Sequence, residues 1–321
     1  ITRTGMKIAS VSHIGISPLI VLLESVRASH CKQFLEGTMK SVIAAAGIAA
    51  AMSIGSAHAL TVSYGDFADL SAFQQNGATA SIVDPVTDAS GRKVLRLTNA
   101  LGQSGSAFLT NTVNLANQAS FSTFFTFNIN NPLGSSDTDG QGADGIVFVV
   151  QTVSNTSGGA GGGIGYTGIT NSVGVEFDTW NNGLGFNDPD GNHVGINLGG
   201  SFNGATASVA TRMNDGTDWY AWIDYDGLND LLELRLSQIN ARPAAATLSR
   251  SADLVAELGQ SDAFVGFTSG TGSAGGNHDI VNWTFRDDFD PIDPNPMPEP
   301  GSLALLGLAL AGLAGGRRRT R

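Results

Sequence analysis

Between residues 60 and 289 the apolar residues come in short, β-rich runs, each closed by a cluster of Gly, Asn, Asp or Ser. Nowhere in this stretch does the stripe of an amphipathic helix persist for several turns. A chain so punctuated is expected to be all-β, an antiparallel β-sandwich. The 42 glycines among 321 residues, roughly twice the usual share, push the same way. The expected strands are Lys93 to Thr98, Ser120 to Ile129, Gly145 to Gln151, Ser172 to Phe177, His193 to Leu198, Thr206 to Met213, Trp219 to Tyr225, Leu231 to Ser237, Ala263 to Thr268 and Asp279 to Phe285. A short helical turn is expected around Val255, and the Gly/Ser/Asn/Thr-rich stretch Ser154 to Gly163 reads as a flexible loop. On the second strand Phe121, Thr123, Phe125 and Phe127 alternate with Ser122, Phe124 and Thr126, so both of its faces are largely apolar.

Charge narrows the partners. Only eight of the 17 Lys and Arg residues lie between residues 60 and 297, against 25 of the 28 Asp and Glu residues. A core segment this acidic has the wrong sign for nucleic acid or anionic lipid. The single cysteine, Cys31, excludes an intrachain disulfide and any cysteine-based metal cluster. Any bound metal must therefore be held by oxygen and imidazole.

The two ends read as addresses. Met39-Lys40, an alanine-rich apolar stretch from Val42 to Ile54 and Ala57-His58-Ala59 have the layout of a signal peptide over residues 39–59, with the mature chain starting at Leu60. Residues 1–38 then read as an upstream or mis-started segment. After a Pro/Asp-rich linker over 290–297 come Pro298-Glu299-Pro300, an apolar run from Gly301 to Gly316 and Arg317-Arg318-Arg319. These three parts, over residues 298–321, resemble the PEP-CTERM sorting signal of Gram-negative, exopolysaccharide-making bacteria. That resemblance implies a transient membrane anchor removed by an exosortase-type protease, leaving a mature form at the cell surface or in the medium that does not span the membrane.

The chemistry concentrates between Val173 and Asn197. Glu176 and Asp178 lie two apart on an apolar strand, so both carboxylates leave the same face. Asn182 and Asp188 flank a glycine-containing loop, and His193 opens the next strand. Two acids inside an apolar strand need a partner, and carboxylate and amide oxygens beside one imidazole suit a hard cation together with a transition metal. These residues resemble the metal-binding signature of legume-type (L-type) lectins, Glu-x-Asp-x-aromatic-x-Asn followed by Asp-Pro and a His five residues after that Asp. The resemblance implies a concanavalin-like jelly roll over 60–289. It implies a Mn2+-like ion on Glu176, Asp178, Asp188 and His193, and Ca2+ on Asp178, the Trp180 carbonyl, Asn182 and Asp188.

Further matches follow in the same order along the domain: Ser120-Phe-Ser-Thr-Phe-Phe-Thr-Phe, Ala143-Asp144-Gly145, Gly161-Gly-Gly-Ile-Gly-Tyr166, Asp224-Tyr-Asp-Gly227, Val265-Gly-Phe and Asn282-Trp283-Thr-Phe285. By the resemblance Asp144 follows a cis peptide and accepts hydrogen bonds from sugar hydroxyls, Asn182 donates its amide, Trp180 offers a ring face, and a backbone N–H of Gly162 or Gly163 completes a carbohydrate site. Asp137 and Asp139 lack the terminal Glu of a calcium loop and read as a solvated turn. A retaining glycosidase needs a second carboxylate across the scissile bond, but Trp180 stands at that position and its neighbours Thr179 and Asn181 are not acids. The sequence therefore reads as an exported, metal-dependent carbohydrate-binding protein with no catalytic residues. A structural matrix protein with the same sandwich and no sugar site is the alternative, and the resemblance also allows homo-oligomers formed through sheet faces.

Overall fold

The computed structural model describes residues 60–294 apart from 157, 159 and 160. The expected upstream segment, signal peptide and sorting tail, and the end of the linker, lie outside these residues. Two sheets face each other, every strand pair in them antiparallel. The first runs, edge to edge, β11 (Ser201–Ser208), β10 (His193–Leu198), β9 (Ser172–Asp178), β8 (Gly145–Gln151), β15 (Asp262–Gly270), β5 (Ser104–Leu109) and β2 (Phe73–Gly77), with β6 (Val113–Asn114) also on β15. The second runs β14 (Leu248–Ser251), β13 (Leu231–Ser237), β12 (Asp218–Asp226), β7 (Phe121–Gly134), β16 (Ala274–Arg286), β4 (Lys93–Thr98) and β3 (Val86–Thr87), with β1 (Thr61–Tyr64) also on β16. The all-β sandwich is thus observed, and the turn near Val255 is the short helix Leu254–Leu258, capped by the Asp253 side chain.

The core follows the alternation read in the sequence. Phe121, Phe125 and Phe127 of β7 point inward with Val175 and Phe177 of β9, Phe267 of β15 and Trp283 of β16. Phe125 meets Phe177 and Phe267 edge-on at 5.6 and 5.0 Å, and Phe267 meets Trp283 at 5.1 Å. Each such ring contributes about 1.5–3 kcal/mol by leaving water. Thr123, on the inward face, is not left unpaired: its hydroxyl accepts the Trp283 indole N–H at 2.8 Å. Phe124 takes the other face, packing with Trp222 and with Ile292 of the segment that follows the last strand.

One expected strand is misplaced. Thr206 to Met213 was expected to be extended, but β11 occupies Ser201–Ser208 and the chain then leaves the sheet. The cause is Asn192, whose side-chain amide donates to the Val209 and Thr211 carbonyls while its Oδ1 accepts the Met213 N–H. These bonds take the backbone groups that a continuing strand would need. Three substantial strands had no sequence signal: β2, β5 and β14. Phe73–Gly77 reads Phe-Gln-Gln-Asn-Gly and Ser104–Leu109 opens Ser-Gly-Ser, so neither shows apolar alternation. At one end of the Ser154 to Gly163 stretch, Gly161–Gly163 forms a single 3-10 turn.

Candidate functional site

β9 sends Val173, Val175 and Phe177 into the core and Glu176 and Asp178 out of the opposite face. Its neighbours complete the setting. In the β9–β10 register His193 lies opposite Asp178 and Gly195 opposite Glu176, while on the other side Gly145 lies opposite Asp178. Ligand atoms of Glu176, Asp178 and His193 converge to within 4.8 Å of one another, and these residues are 1%, 2% and 0% exposed. Asp188 joins them from the loop, its Oδ1 3.7 Å from His193 Nε2, which lies 3.6 Å from Glu176 Oε1. His193 Nδ1 sits 3.0 Å from the Asp190 carbonyl. A carbonyl only accepts, so Nδ1 carries a proton and Nε2 is the nitrogen turned to the acids, the one that could ligate a metal once it gives up its own proton.

Gly195 makes this packing possible. A Cβ there would stand 2.0 Å from Glu176 Oε1. Gly195→Ala should displace that carboxylate at an overpacking cost of about 1–3 kcal/mol, and titration calorimetry with Mn2+ should register it as an affinity loss of roughly 5- to 150-fold.

The electrostatics describe a cluster of buried carboxylates short of positive charge. Burial and then the charges of Asp188 and Glu176 hold Asp178 well above the usual carboxylate range. Burial, then Asp188, pushes Asp144 up to about 7. Asp188 is pushed up to about 6 by burial, partly offset by the Asn182 backbone N–H, which donates to its Oδ2 at 2.5 Å. His193 is disfavoured as a cation by burial, but its contact with Glu176 and the charges of Glu176 and Asp188 outweigh this and raise it. Four carboxylates with too little positive charge nearby are what a divalent ion would neutralise. The donor set, three carboxylates and a correctly poised imidazole, fits a transition metal, and Asp178, Asp188 and the Asn182 amide oxygen fit calcium.

Next to this cluster lies the peptide Ala143–Asp144, which is cis. Thr179 ties it to β9: its N–H and hydroxyl both donate to the Asp144 carbonyl, at 2.8 and 3.1 Å. Two buried oxygens here have no hydrogen-bond partner, Asp144 Oδ2 and Asn182 Oδ1, and His193 Nε2 makes only the longer contacts to Glu176 and Asp188. Of the other expected site residues, Trp180 is half-buried with its N–H on Asp178 Oδ1, and Gly162 packs directly against the Asn182 amide. Gly163 instead is buried and faces Thr167.

Several participants gave no sequence signal. Asp137 and Asp139 are not a solvated turn: both are half-buried, and their carboxylates accept the backbone N–H groups of Asn181 and Gly191. Behind Gly145, Ser269 donates to its carbonyl at 2.8 Å, Thr98 lies 3.2 Å from Ser269, and His278 Nδ1 lies 2.7 Å from Thr98. Since Ser269 spends its proton on the carbonyl, Thr98 must donate to Ser269 and accept from His278, which fixes the direction of the whole buried chain.

A two-sheet jelly roll bearing an acid-imidazole cluster beside a cis Ala–Asp peptide defines a lectin-type sandwich, and solved lectins share its fold. Lectin II from Ulex europaeus is similar at a TM-score of 0.56 and 24% identity, over 71% of this chain and 98% of that one. Lectin I-B4 from Griffonia simplicifolia, in a metal-free form, is similar at 0.56 and 26%, over 70% and 98%. Residues 63–300 match the legume lectin domain, and the chain belongs to that family; residues 298–319 match the PEP-CTERM protein-sorting motif, which marks export with a C-terminal sorting signal. Among curated relatives, the L-type lectin-domain containing receptor kinase V.9 of Arabidopsis thaliana is 36% identical over 127 residues, 36% of this chain and 18% of that protein. The probable L-type lectin-domain containing receptor kinase II.1 of the same plant is 30% identical over 177 residues, 45% of this chain and 26% of that protein. The chain thus spans about a quarter or less of the length of these relatives. Among the described residues no helix is long and apolar enough to cross a membrane.

Proposed function

We propose that this is an exported lectin whose sugar site is assembled by two metal ions. Glu176, Asp178, Asp188 and His193 would hold a Mn2+-like ion, and Asp178, the Trp180 carbonyl, Asn182 and Asp188 would hold Ca2+. The ions supply positive charge that lets the buried carboxylates ionise together. Asp144 then accepts hydrogen bonds from two hydroxyls of a pyranose, the Asn182 side-chain amide donates to it, a backbone N–H of the Gly162–Gly163 turn completes the polar contacts, and the Trp180 ring covers the C–H face. The observation that carries this reading is that two buried oxygens beside the acid-imidazole cluster, Asp144 Oδ2 and Asn182 Oδ1, have no hydrogen-bond partner, since unpaired buried polar groups cost about 1–3 kcal/mol each unless a ligand meets them.

Thr179, Trp180 and Asn181 put no acid where a retaining glycosidase carries its second carboxylate, and the acids that are present are assigned to the ions or, as Asp144, to the sugar, so binding without turnover is the proposed activity. A glycan array probed with Ca2+- and Mn2+-loaded protein, followed by mass spectrometry of the retained glycans, checks both halves. Retention of intact glycans is the expected outcome, and released fragments would restore the glycosidase reading.

The export route is proposed to begin with cleavage before Leu60 and to end with exosortase-type processing near Pro298-Glu299-Pro300 in a Gram-negative host. Intact-mass measurement of the protein recovered from the culture medium or cell surface should then give a cysteine-free acidic chain. Peptides containing Cys31 or the arginine cluster in that fraction would contradict it.

A further inference from the structure

We propose that Asp137 and Asp139 act as positioning residues that couple the ion-binding loop to Asp144, so that ion binding is transmitted to the sugar-contacting segment through two carboxylate-to-backbone hydrogen bonds. The proposal rests on the lectin reading above.

Residues 135–142 run from the end of β7 to the Ala143–Asp144 peptide. Within this segment Asp137 Oδ1 accepts the N–H groups of Asp139 and Gly140 at 2.9 and 3.1 Å, which shapes a tight turn. The remaining oxygens point away from the segment. Asp137 Oδ2 accepts the Asn181 N–H at 3.1 Å, and Asp139 Oδ2 accepts the Gly191 N–H at 2.9 Å. Asn181 lies between Trp180 and Asn182, and Gly191 lies two residues before His193. The two acids therefore grip the ion-binding loop near both of its ends while belonging to the segment that delivers Asp144.

Gly191 permits the grip. A Cβ at this position would stand 2.3 Å from Asp137 Oδ2 and 2.7 Å from Asp139 Oδ2, so only glycine lets the loop backbone approach both carboxylates. On its other side the segment is held by Asn214 and Arg212, whose side chains donate to the Gln141 carbonyl, and Asn214 also donates to that of Gly142. The loop carrying Arg212 and Asn214 is in turn fixed by Asn192, next to His193, through the Met213 N–H. Asp144 is thus suspended between two supports that both lead back to the ion ligands.

Hydrogen–deuterium exchange read by mass spectrometry tests this without needing a known glycan, because exchange reports local opening segment by segment. In the wild-type protein, adding Ca2+ and Mn2+ should slow exchange both in residues 178–193 and in residues 137–145, the latter by about tenfold or more. In the Asp137→Ala/Asp139→Ala double variant the ions should protect 178–193 alone. Asp139→Asn should behave as wild type, since its one amide oxygen can still accept the Gly191 N–H, whereas Asp139→Ala should not. Should the double variant fail to fold, Gly191→Ala carries the same test with every acid in place and should likewise uncouple the two segments. Ion-induced protection of 137–145 that survives in the alanine variants would overturn the proposal. So would Asp139→Asn failing as fully as Asp139→Ala, because charge and not a hydrogen bond would then be at work. Glycan affinity of Asp144→Asn, measured in parallel, separates the two claims: if that variant binds as wild type while the exchange pattern holds, the sugar reading falls and the coupling stands.

Discussion

Asp144→Asn is expected to bind the array-selected glycan about 10- to 150-fold more weakly than wild type, the loss of a charge-assisted hydrogen bond worth about 1.5–3 kcal/mol, while both ions stay bound. The change keeps size and shape but turns an acceptor-only carboxylate into a group that is half donor. Asp144 is 3% exposed, and its Oδ2 has no protein partner. Its carbonyl, which anchors the segment to Thr179, is untouched by the substitution. The side chain is therefore free to serve a ligand without holding the fold. Calorimetric titration with the glycan, alongside elemental analysis of bound Ca and Mn, reads both quantities. Unchanged glycan affinity would show that the sugar lies elsewhere, and loss of the ions would show that Asp144 ligates them directly.

The second large effect concerns pH and chelation together. In the ion-free folded chain Asp144 titrates near 7 and Asp188 near 6, with Asp178 well above the usual range, all raised by burial. Unfolded, these groups titrate near 3.9. Between those values the folded chain holds more protons than the unfolded one at these groups, so their contribution to the stability of the ion-free protein falls as pH rises from about 4 to 7, opposed in part by His278, which burial pushes down to about 3. The raised His193 works in the same direction as the acids: its contribution is complete below its unfolded value and is lost as pH rises through its folded one. For Asp144 alone the displacement is about 3 pH units, on the order of 4 kcal/mol, which corresponds to a fall of roughly 8–16 °C in Tm for a domain of this size.

Saturating Ca2+ and Mn2+ should invert the slope. Ion binding requires ionised carboxylates and a neutral imidazole, so it strengthens as pH rises. Calorimetric scans between pH 5 and 7.5 should accordingly give a falling Tm in EDTA and a rising one with ions, and Asp188→Asn should follow the first curve even when ions are added. Parallel curves with and without ions would mean that the acids are neutralised by something other than metal.

What the sequence carried and what it did not divides along a physical line. The cluster proposed to hold the ions was legible because Glu176, Asp178, Asn182, Asp188 and His193 lie on one strand-loop-strand unit, where spacing alone decides which side chains share a face. Asp144 lies farther away in sequence but was marked by the Ala-Asp-Gly triplet ahead of an apolar strand, and β8 indeed brings it against Asp178. Asp137 and Asp139 read as a solvated turn because their partners, 44 and 52 residues on, are backbone N–H groups that have no side-chain identity to read. The strand placed at Thr206 to Met213 failed for a similar reason: a single asparagine, Asn192, captures its backbone from another loop. His278 ends a buried hydrogen-bond chain to Gly145 that crosses between the sheets, through partners far away in sequence. Local periodicity reports core and strand; it is silent on polar contacts made across loops.

The central claim, that metal ions assemble a sugar site on this sandwich, is tested most directly by titrating one protein preparation with one glycan three times: as loaded with Ca2+ and Mn2+, after EDTA treatment with metal content verified as nil, and after the ions are restored. Binding in the first and third titrations, with none detectable in the second, is the predicted result. Equal affinity in all three, on protein shown to be metal-free in the second, would contradict it.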